Sequence, residues 1–389
     1  MQWRTRLRGA APAIEIPRAL MLTRRTFLVA VAGAGSACKQ RARGFPGYVF
    51  VANAGERSVA AVDLNRFAVA RQIQLESAPG SVLAHPAKRL VYVLIPGTAA
   101  VHEIGTKALA VRHKLALGGT APAMQFSPNG RSLWIACRRP HALVKLALDP
   151  LVISGRVKLP SAPGDFDLSR YRDIAAVVLP ETNSIAIVDL AGMTVERVVP
   201  AGERPLVARF RSDGRQMLVA NQGQRALTIV DVASGGTLVR LPLPIEPRHL
   251  CFKADGGELF VSGPGMDAVV VVRPYETEVA ETKLAGRAPG AMASSPKPEY
   301  LFVANPESGD VTVLEVDTRN VIAAISVGQE PSFITFTPDN QYALVLNHRS
   351  GDLAVIRISA ITRNRSKTAP LFTMIPVGSG PVSAAVGQI

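Results

Sequence analysis

Short apolar runs and polar breaks alternate along this chain with one fixed spacing. The run Tyr300-Leu-Phe-Val-Ala-Asn305 is β-rich, and the polar Pro306-Glu-Ser-Gly-Asp310 turns the chain. Val311-Thr-Val-Leu-Glu-Val316 then alternates like a half-buried strand, residues 321–327 form another, Gly328-Gln-Glu-Pro331 breaks, and 332–336 begin a fourth. The same unit recurs with the runs Tyr48-Val-Phe-Val-Ala-Asn53, Leu90-Val-Tyr-Val-Leu-Ile95, Ser132-Leu-Trp-Ile-Ala-Cys137 and their equivalents. The runs start at 48, 90, 132, 174, 216, 258, 300 and 342, a step of 42 residues without a slip.

A four-strand unit of this period cannot bury both of its faces alone, whereas radial stacking against neighbours does so. Both faces of the inner runs are apolar, as a sheet sandwiched between two others requires. The pattern therefore predicts an all-β fold, an eight-bladed β-propeller of 42-residue repeats, with seven blades as the alternative. The ends predict how the ring closes. The chain enters the repeat on a second strand at Tyr48 and leaves through Pro381-Val-Ser-Ala-Ala-Val386, which matches Pro331-Ser-Phe-Ile-Thr-Phe336. Blade one should thus take three strands from residues 48–75 and its innermost strand from 381–387, a strand exchange. A polar insertion at 360–370 is expected between the second and third strands of blade eight.

Several segments carry a resemblance to the YVTN-type β-propeller repeat family: Tyr48-Val-Phe-Val-Ala-Asn53, Leu301-Phe-Val-Ala-Asn305, Val311-Thr-Val-Leu-Glu-Val-Asp317, and Gly328-Gln-Glu-Pro331 with Phe336-Thr-Pro-Asp339. Ala stands where the family's name motif has Thr. The resemblance covers residues 48–387 and implies the propeller fold without naming a ligand.

The first residues differ in kind. Thr23-Arg24-Arg25-Thr26-Phe27-Leu28 resembles a twin-arginine export signal. The apolar run at 27–34 is too short for a membrane span and suits the core of a signal peptide. Gly35-Ser36-Ala37-Cys38 resembles a lipoprotein cleavage site, with Cys38 the acylated residue; simple cleavage after Ala37 is the alternative. The expected organisation is a signal at 1–37 (residues 1–20 ahead of a later start at Met21), a basic tether at 38–47, and one propeller domain at 48–389. The expected address is periplasmic or cell-surface, with the membrane reached only through a lipid anchor on Cys38.

Charge narrows the partners. Of the net +14, residues 1–37 hold six arginines against one glutamate, and the tether adds Lys39, Arg41 and Arg43. The remaining +6 on the ring is too thin, and too free of interleaved aromatics, for a nucleic-acid binder. Cys137 and Cys251 fall in blades three and six, too far apart for a disulfide; each reads as a small buried residue.

In a ring of this strand order two loop sets share one face: those joining second to third strands and those joining one blade to the next. They place Arg138, Arg139, His141, Arg204, Arg225, Arg248, His249, Arg287, His348 and Arg349 around one channel mouth, with glutamates among them. Arginine forks suit carboxylate or phosphate; an ordinary solvated rim is the plainer reading. Cys137 with His141 is no metal site by itself, since zinc takes three or four ligands. His85 reads as a turn residue on the opposite face, and the aspartates at 63, 189, 231 and 317 as strand-ending turn caps. No nucleophile elbow, serine triad or phosphate loop is present. The expectation is a monomeric binding scaffold for an envelope protein, a polysaccharide or an anionic small ligand, without a cofactor. Eight-bladed propellers with related repeats include the haem-d domain of dissimilatory nitrite reductases, and similar repeats occur in lactone hydrolases. That resemblance implies two alternatives, a haem-binding oxidoreductase with His249, His348 or His141 as axial ligand, and a lactonase-like hydrolase.

Overall fold

A computed structural model describes residues 44–361 and 369–388. They form eight four-stranded antiparallel sheets arranged as the blades of a ring, so the ring has eight blades and not seven. Blade 2 is representative, running outward from Ser81–Ala84 through Leu90–Ile95 and Ala100–Gly105 to Ala110–Ala116. Blade 1 is closed by both ends of the domain. Its strands Gly47–Asn53, Ser58–Asp63 and Ala68–Gln74 come from the start, and its innermost strand Pro381–Gln388 comes from the end, pairing Phe50 with Ala385 and Val49 with Val386. The strand exchange turns two chain ends into one hydrogen-bonded sheet, so opening the ring means unzipping that ladder.

Each inner run is apolar on both faces because each face meets a different blade. Tyr92 and Leu94 of blade 2 pack on Ile135 and Val144 of blade 3, while Val91 and Val93 face Phe50 and Ala61 of blade 1. Blades 8 and 1 meet through Leu344 and Val355 against Val49 and Val51. Fully burying such a side chain stabilises by about 1.5–3 kcal/mol. Phe45, ahead of the first strand, joins this last cluster and is buried.

Two features repeat with the period. In all eight blades the register between third and outermost strands slips once, at Ala61/Val62 in blade 1 and every 42 residues to Val355/Ile356 in blade 8. A bulge there adds twist and disrupts the ladder beside the exposed edge, which makes that edge a poorer template for another chain. The second feature is a buried asparagine ending the second strand in blades 1, 5, 7 and 8: Asn53, Asn221, Asn305 and Asn347, all without exposure. The amide of Asn305 donates to Asp310 Oδ1 (2.7 Å) and Thr312 Oγ1 (2.9 Å), and that of Asn347 to Asp352 Oδ1 (2.6 Å). A glycine of the between-blade loop lies flat on each amide. A Cβ on Gly286 would stand 2.6 Å from Asn305 Cγ, and one on Gly328 2.6 Å from Asn347 Nδ2. The pair clamps the loop to the blade.

Asp63, Asp189 and Asp231 do cap turns, accepting from Asn65 N (2.8 Å), Ala191 N (2.9 Å) and Ser234 N (2.7 Å). The insertion in blade 8 corrects the sequence reading. It follows the third strand Asp352–Arg357 and precedes the outermost strand Leu371–Pro376, so it lies one strand further out than expected. The cause is an ambiguity of counting, because a repeat read from its longest apolar run starts on the second strand of the blade. Among the described residues the only helical segments are single 3-10 turns at Pro180–Thr182 and Ile358–Ala360. Arg24, Arg25 and Cys38 lie outside the described residues.

Candidate functional site

The connecting loops do share one face, and hydrogen bonds tie the two sets together. Ala54 N and Gly55 N in a second-to-third turn donate to Gly380 O (2.9 Å) and Ser379 O (3.1 Å) in a between-blade loop. Arg204 N donates to Asn183 Oδ1 (2.9 Å), Arg287 N to Ser308 Oγ (3.1 Å), and Arg349 N to Gln329 O (3.2 Å). The predicted site residues are therefore carried on braced turns. Arg204 and Glu330 occupy the left-handed region (φ 52° and 56°), but at equivalent points of the repeat. Their conformation thus belongs to the turn type rather than to one site.

The predicted cations fall into separate groups. Arg138, Arg139 and His141 sit on blade 3; Arg204, Arg225, Arg248 and His249 border blades 5 and 6; Arg287, His348 and Arg349 sit on blades 7 and 8. Blade 3 stands diametrically opposite blade 7, so the ring holds the first and last groups apart. Several are already engaged. Arg138 Nε donates to Pro163 O (3.1 Å), Arg225 meets Glu246 (3.5 Å), and Arg287 meets Glu307 (3.8 Å). His348 Nδ1 lies 3.2 Å from Pro381 O. Arg139, Arg204, Arg248 and Arg349 are exposed and have no carboxylate partner among the described residues. Two adjoining cavities of about 670 and 550 Å³ open on this face over blades 7, 8 and 1, and Glu330 and Arg349 border both. The concavity thus lies away from blades 3–6, where arginines are densest in the sequence.

Inside the channel, blades 3–6 differ from the rest. Equivalent positions of successive innermost strands hold Gln125, Asp167, Arg209 and Cys251 there, and Ala293, Thr335, Ala385 and Leu83 in the other blades. Asp167 accepts from Gln125 Nε2 (3.3 Å) and from the edge amide Phe210 N (2.9 Å). An innermost strand has no further strand to pair with, and a neighbouring side chain supplies the missing acceptor. Ser383 Oγ does the same for Val82 N (3.1 Å). Arg209 donates to Asp165 Oδ2 at 2.5 Å. Burial pushes the Asp165 carboxyl up, and the guanidinium pulls part of the shift back. His249 is held neutral, its pKa lowered to about 4 by burial and by Arg248 beside it. Burial raises the thiols of Cys137 and Cys251 to about 11 and about 12, so both stay protonated and unreactive near neutral pH. Among the described residues no group of three or more His, Cys, Asp or Glu side chains could hold a metal ion.

The largest of these cavities, about 910 Å³, lies at the other mouth of the channel. The turns between innermost and second strands of blades 3 to 6 form it, bringing Arg170, Tyr171 and Lys253 to the wall that Asp167 and Arg209 line from within. No motif in the sequence marks this face. The 42-residue register would have found it, because it aligns Arg89, Arg131 and Arg215 at one position of that turn.

The fold is shared with solved structures of very different sequence. Hydrazine synthase of Kuenenia stuttgartiensis matches with a TM-score of 0.59 at 17% identity, over 73% of this chain and 96% of that chain. Dihydro-heme d1 dehydrogenase NirN, in complex with DHE, matches with a TM-score of 0.72 at 16% identity, over 87% of this chain and 75% of that one. No family model matches the chain, and no curated protein matches it. At such identities the likeness shows the fold alone.

Proposed function

We propose that this propeller is a binding module, exported by the twin-arginine route and tethered through Cys38, which offers its connecting-loop face to an anionic partner. One observation carries the reading: Arg139, Arg204, Arg248 and Arg349 stand exposed on braced turns without carboxylate partners among the described residues. Most acids of that face are already engaged. Glu246 and Glu307 face arginines, Glu56 accepts from Ser379 N (2.9 Å), and Asp267 accepts from Ala288 N (2.9 Å). Because the turns are braced, closing on a carboxylate orders the side chains alone, and a planar guanidinium fork loses less freedom per hydrogen bond formed than an ammonium does. The test is titration of the full chain with a hexaglutamate peptide. Replacing all four arginines by Ala should weaken binding at least about tenfold and flatten its salt dependence, with the thermal midpoint unchanged. Unchanged binding, or a lowered midpoint without loss of binding, would overturn the reading.

A second reading, a haem-type cofactor in the channel, is favoured by one feature of this chain and by the fold it shares with a protein solved in complex with DHE. His249 lies in the channel wall with a neutral imidazole, the form an axial ligand requires. His348 already has a backbone partner, and His141 lies three blades away from His249. The residues therefore fit a single axial ligand. Addition of haem to the full chain, followed by visible absorption with and without His249→Ala, separates this reading from the first.

A further inference from the structure

We propose that the channel mouth opposite the connecting loops binds an acidic saccharide, with its carboxylates on an arginine arc and its hydroxyls in the cavity beneath. The arc is built by the repeat. Arg89, Arg131 and Arg215 occupy one turn position in blades 2, 3 and 5, and Arg170 and Arg172 supply blade 4. All five are exposed; Arg215 lies beside Asp213, which accepts from its backbone N–H (3.0 Å), and the guanidiniums of Arg89, Arg131, Arg170 and Arg172 have no carboxylate partner among the described residues. The neighbouring cations are different. Arg211 is held by Asp213 (2.5 Å) and Gln216 (2.7 Å), and Lys253 by Asp255 (3.3 Å) and Glu299 (3.0 Å). Of these arginines Arg170 lines the cavity itself, and the others stand on the equivalent turns of blades 2 to 5 on the same face.

The cavity decides what kind of anion fits. Its volume of about 910 Å³ lies within the ~300–1,000 Å³ of small-molecule sites. Asp167 and Asp255 stand in its wall and would repel a bare phosphate or sulfate, yet each can accept from a hydroxyl. Arg209 spends one amino group on Asp165 and Ala208 O; its Nε and other amino group have no partner among the described residues and can donate to a ring or hydroxyl oxygen. Tyr171, 69% exposed, presents an open ring at the edge for the apolar face of a sugar. A ligand that satisfies acids, guanidiniums and an aromatic face together carries hydroxyls, a carboxylate and C–H faces, which is the chemistry of a uronic acid.

The experiment is calorimetric titration of the full chain with trigalacturonate and with maltotriose at two salt concentrations. Trigalacturonate should bind at least about tenfold more tightly than its neutral counterpart, and its affinity should fall with salt. Arg170→Ala with Arg172→Ala should cost at least about tenfold for trigalacturonate; both sites are exposed, and circular dichroism checks the fold. Tyr171→Ala should weaken both sugars in proportion. Lys158→Ala, exposed on an outermost strand and part of neither face's site, should change nothing; the hexaglutamate test reads other variants, so failure here leaves its result standing. Equal binding of the two sugars, no binding of either, or losses that follow Lys158 instead of Arg170 and Arg172 would overturn the proposal.

Discussion

Replacing Asn305 by Leu tests the clamp that holds the connecting loops. Asn305 is fully buried, and its amide donates to a carboxylate at 2.7 Å and to a threonine hydroxyl at 2.9 Å. Leu has the same branched shape, is bulkier and donates nothing; its crowding against Gly286 and the removal of the unpartnered Asn305 Oδ1 act in opposite directions by similar amounts, about 1–3 kcal/mol each. Losing a bond to a charged acceptor costs about 1.5–3 kcal/mol and losing the neutral one about 1 kcal/mol. The better burial of Leu returns about 1–2 kcal/mol. The net expectation is destabilisation by about 2 kcal/mol, read as a lowered denaturant midpoint by far-ultraviolet circular dichroism at unchanged slope. Asn305→Asp should be worse, because it removes the same donors and sets a second carboxylate against Asp310. Gly286 lies on this amide and is followed by Arg287, so the Leu variant should also open that loop to protease before the ring unfolds. A midpoint unchanged within about 0.5 kcal/mol, or an Asp variant milder than the Leu variant, would refute the clamp.

Gly328→Ala probes the same device from the loop side. Its Cβ would stand 2.4 Å from Ser350 Oγ and 2.6 Å from Asn347 Nδ2, so destabilisation of about 1–3 kcal/mol is expected in the same assay. His249 should give the fold an acid-sensitive component. Its folded pKa of about 4 lies below the unfolded value of about 6.5, so the unfolded chain binds the extra proton between those pH values. Its contribution is complete above pH ~6.5 and is lost as pH falls towards 4, by at most about 3 kcal/mol. Midpoints measured across that range should show a gentler fall in His249→Gln than in the parent; equal slopes would reject the assignment.

The architecture was legible because it depends on what repeats. A 42-residue step fixes where strands begin, and apolar runs with two buried faces leave radial stacking as the way to cover them. Even the strand exchange followed from sequence, since Tyr48 and Pro381–Val386 read as complementary parts of one repeat. Three things needed the tertiary structure. The bulge after Ala61 and its seven equivalents leaves no mark in the composition, because it arises from the twist that radial packing imposes on the outer strands. The grouping of the loop arginines depended on angle around the ring, which places Arg138 and Arg287 on opposite sides although the sequence shows one series. The larger cavity depended on four innermost strands meeting at one mouth, where Asp167, Arg209 and Lys253, each 42 or more residues from the next, become neighbours. Periodicity decides which elements form; a site is decided by which repeats end up side by side and which side chains the closed ring leaves without partners.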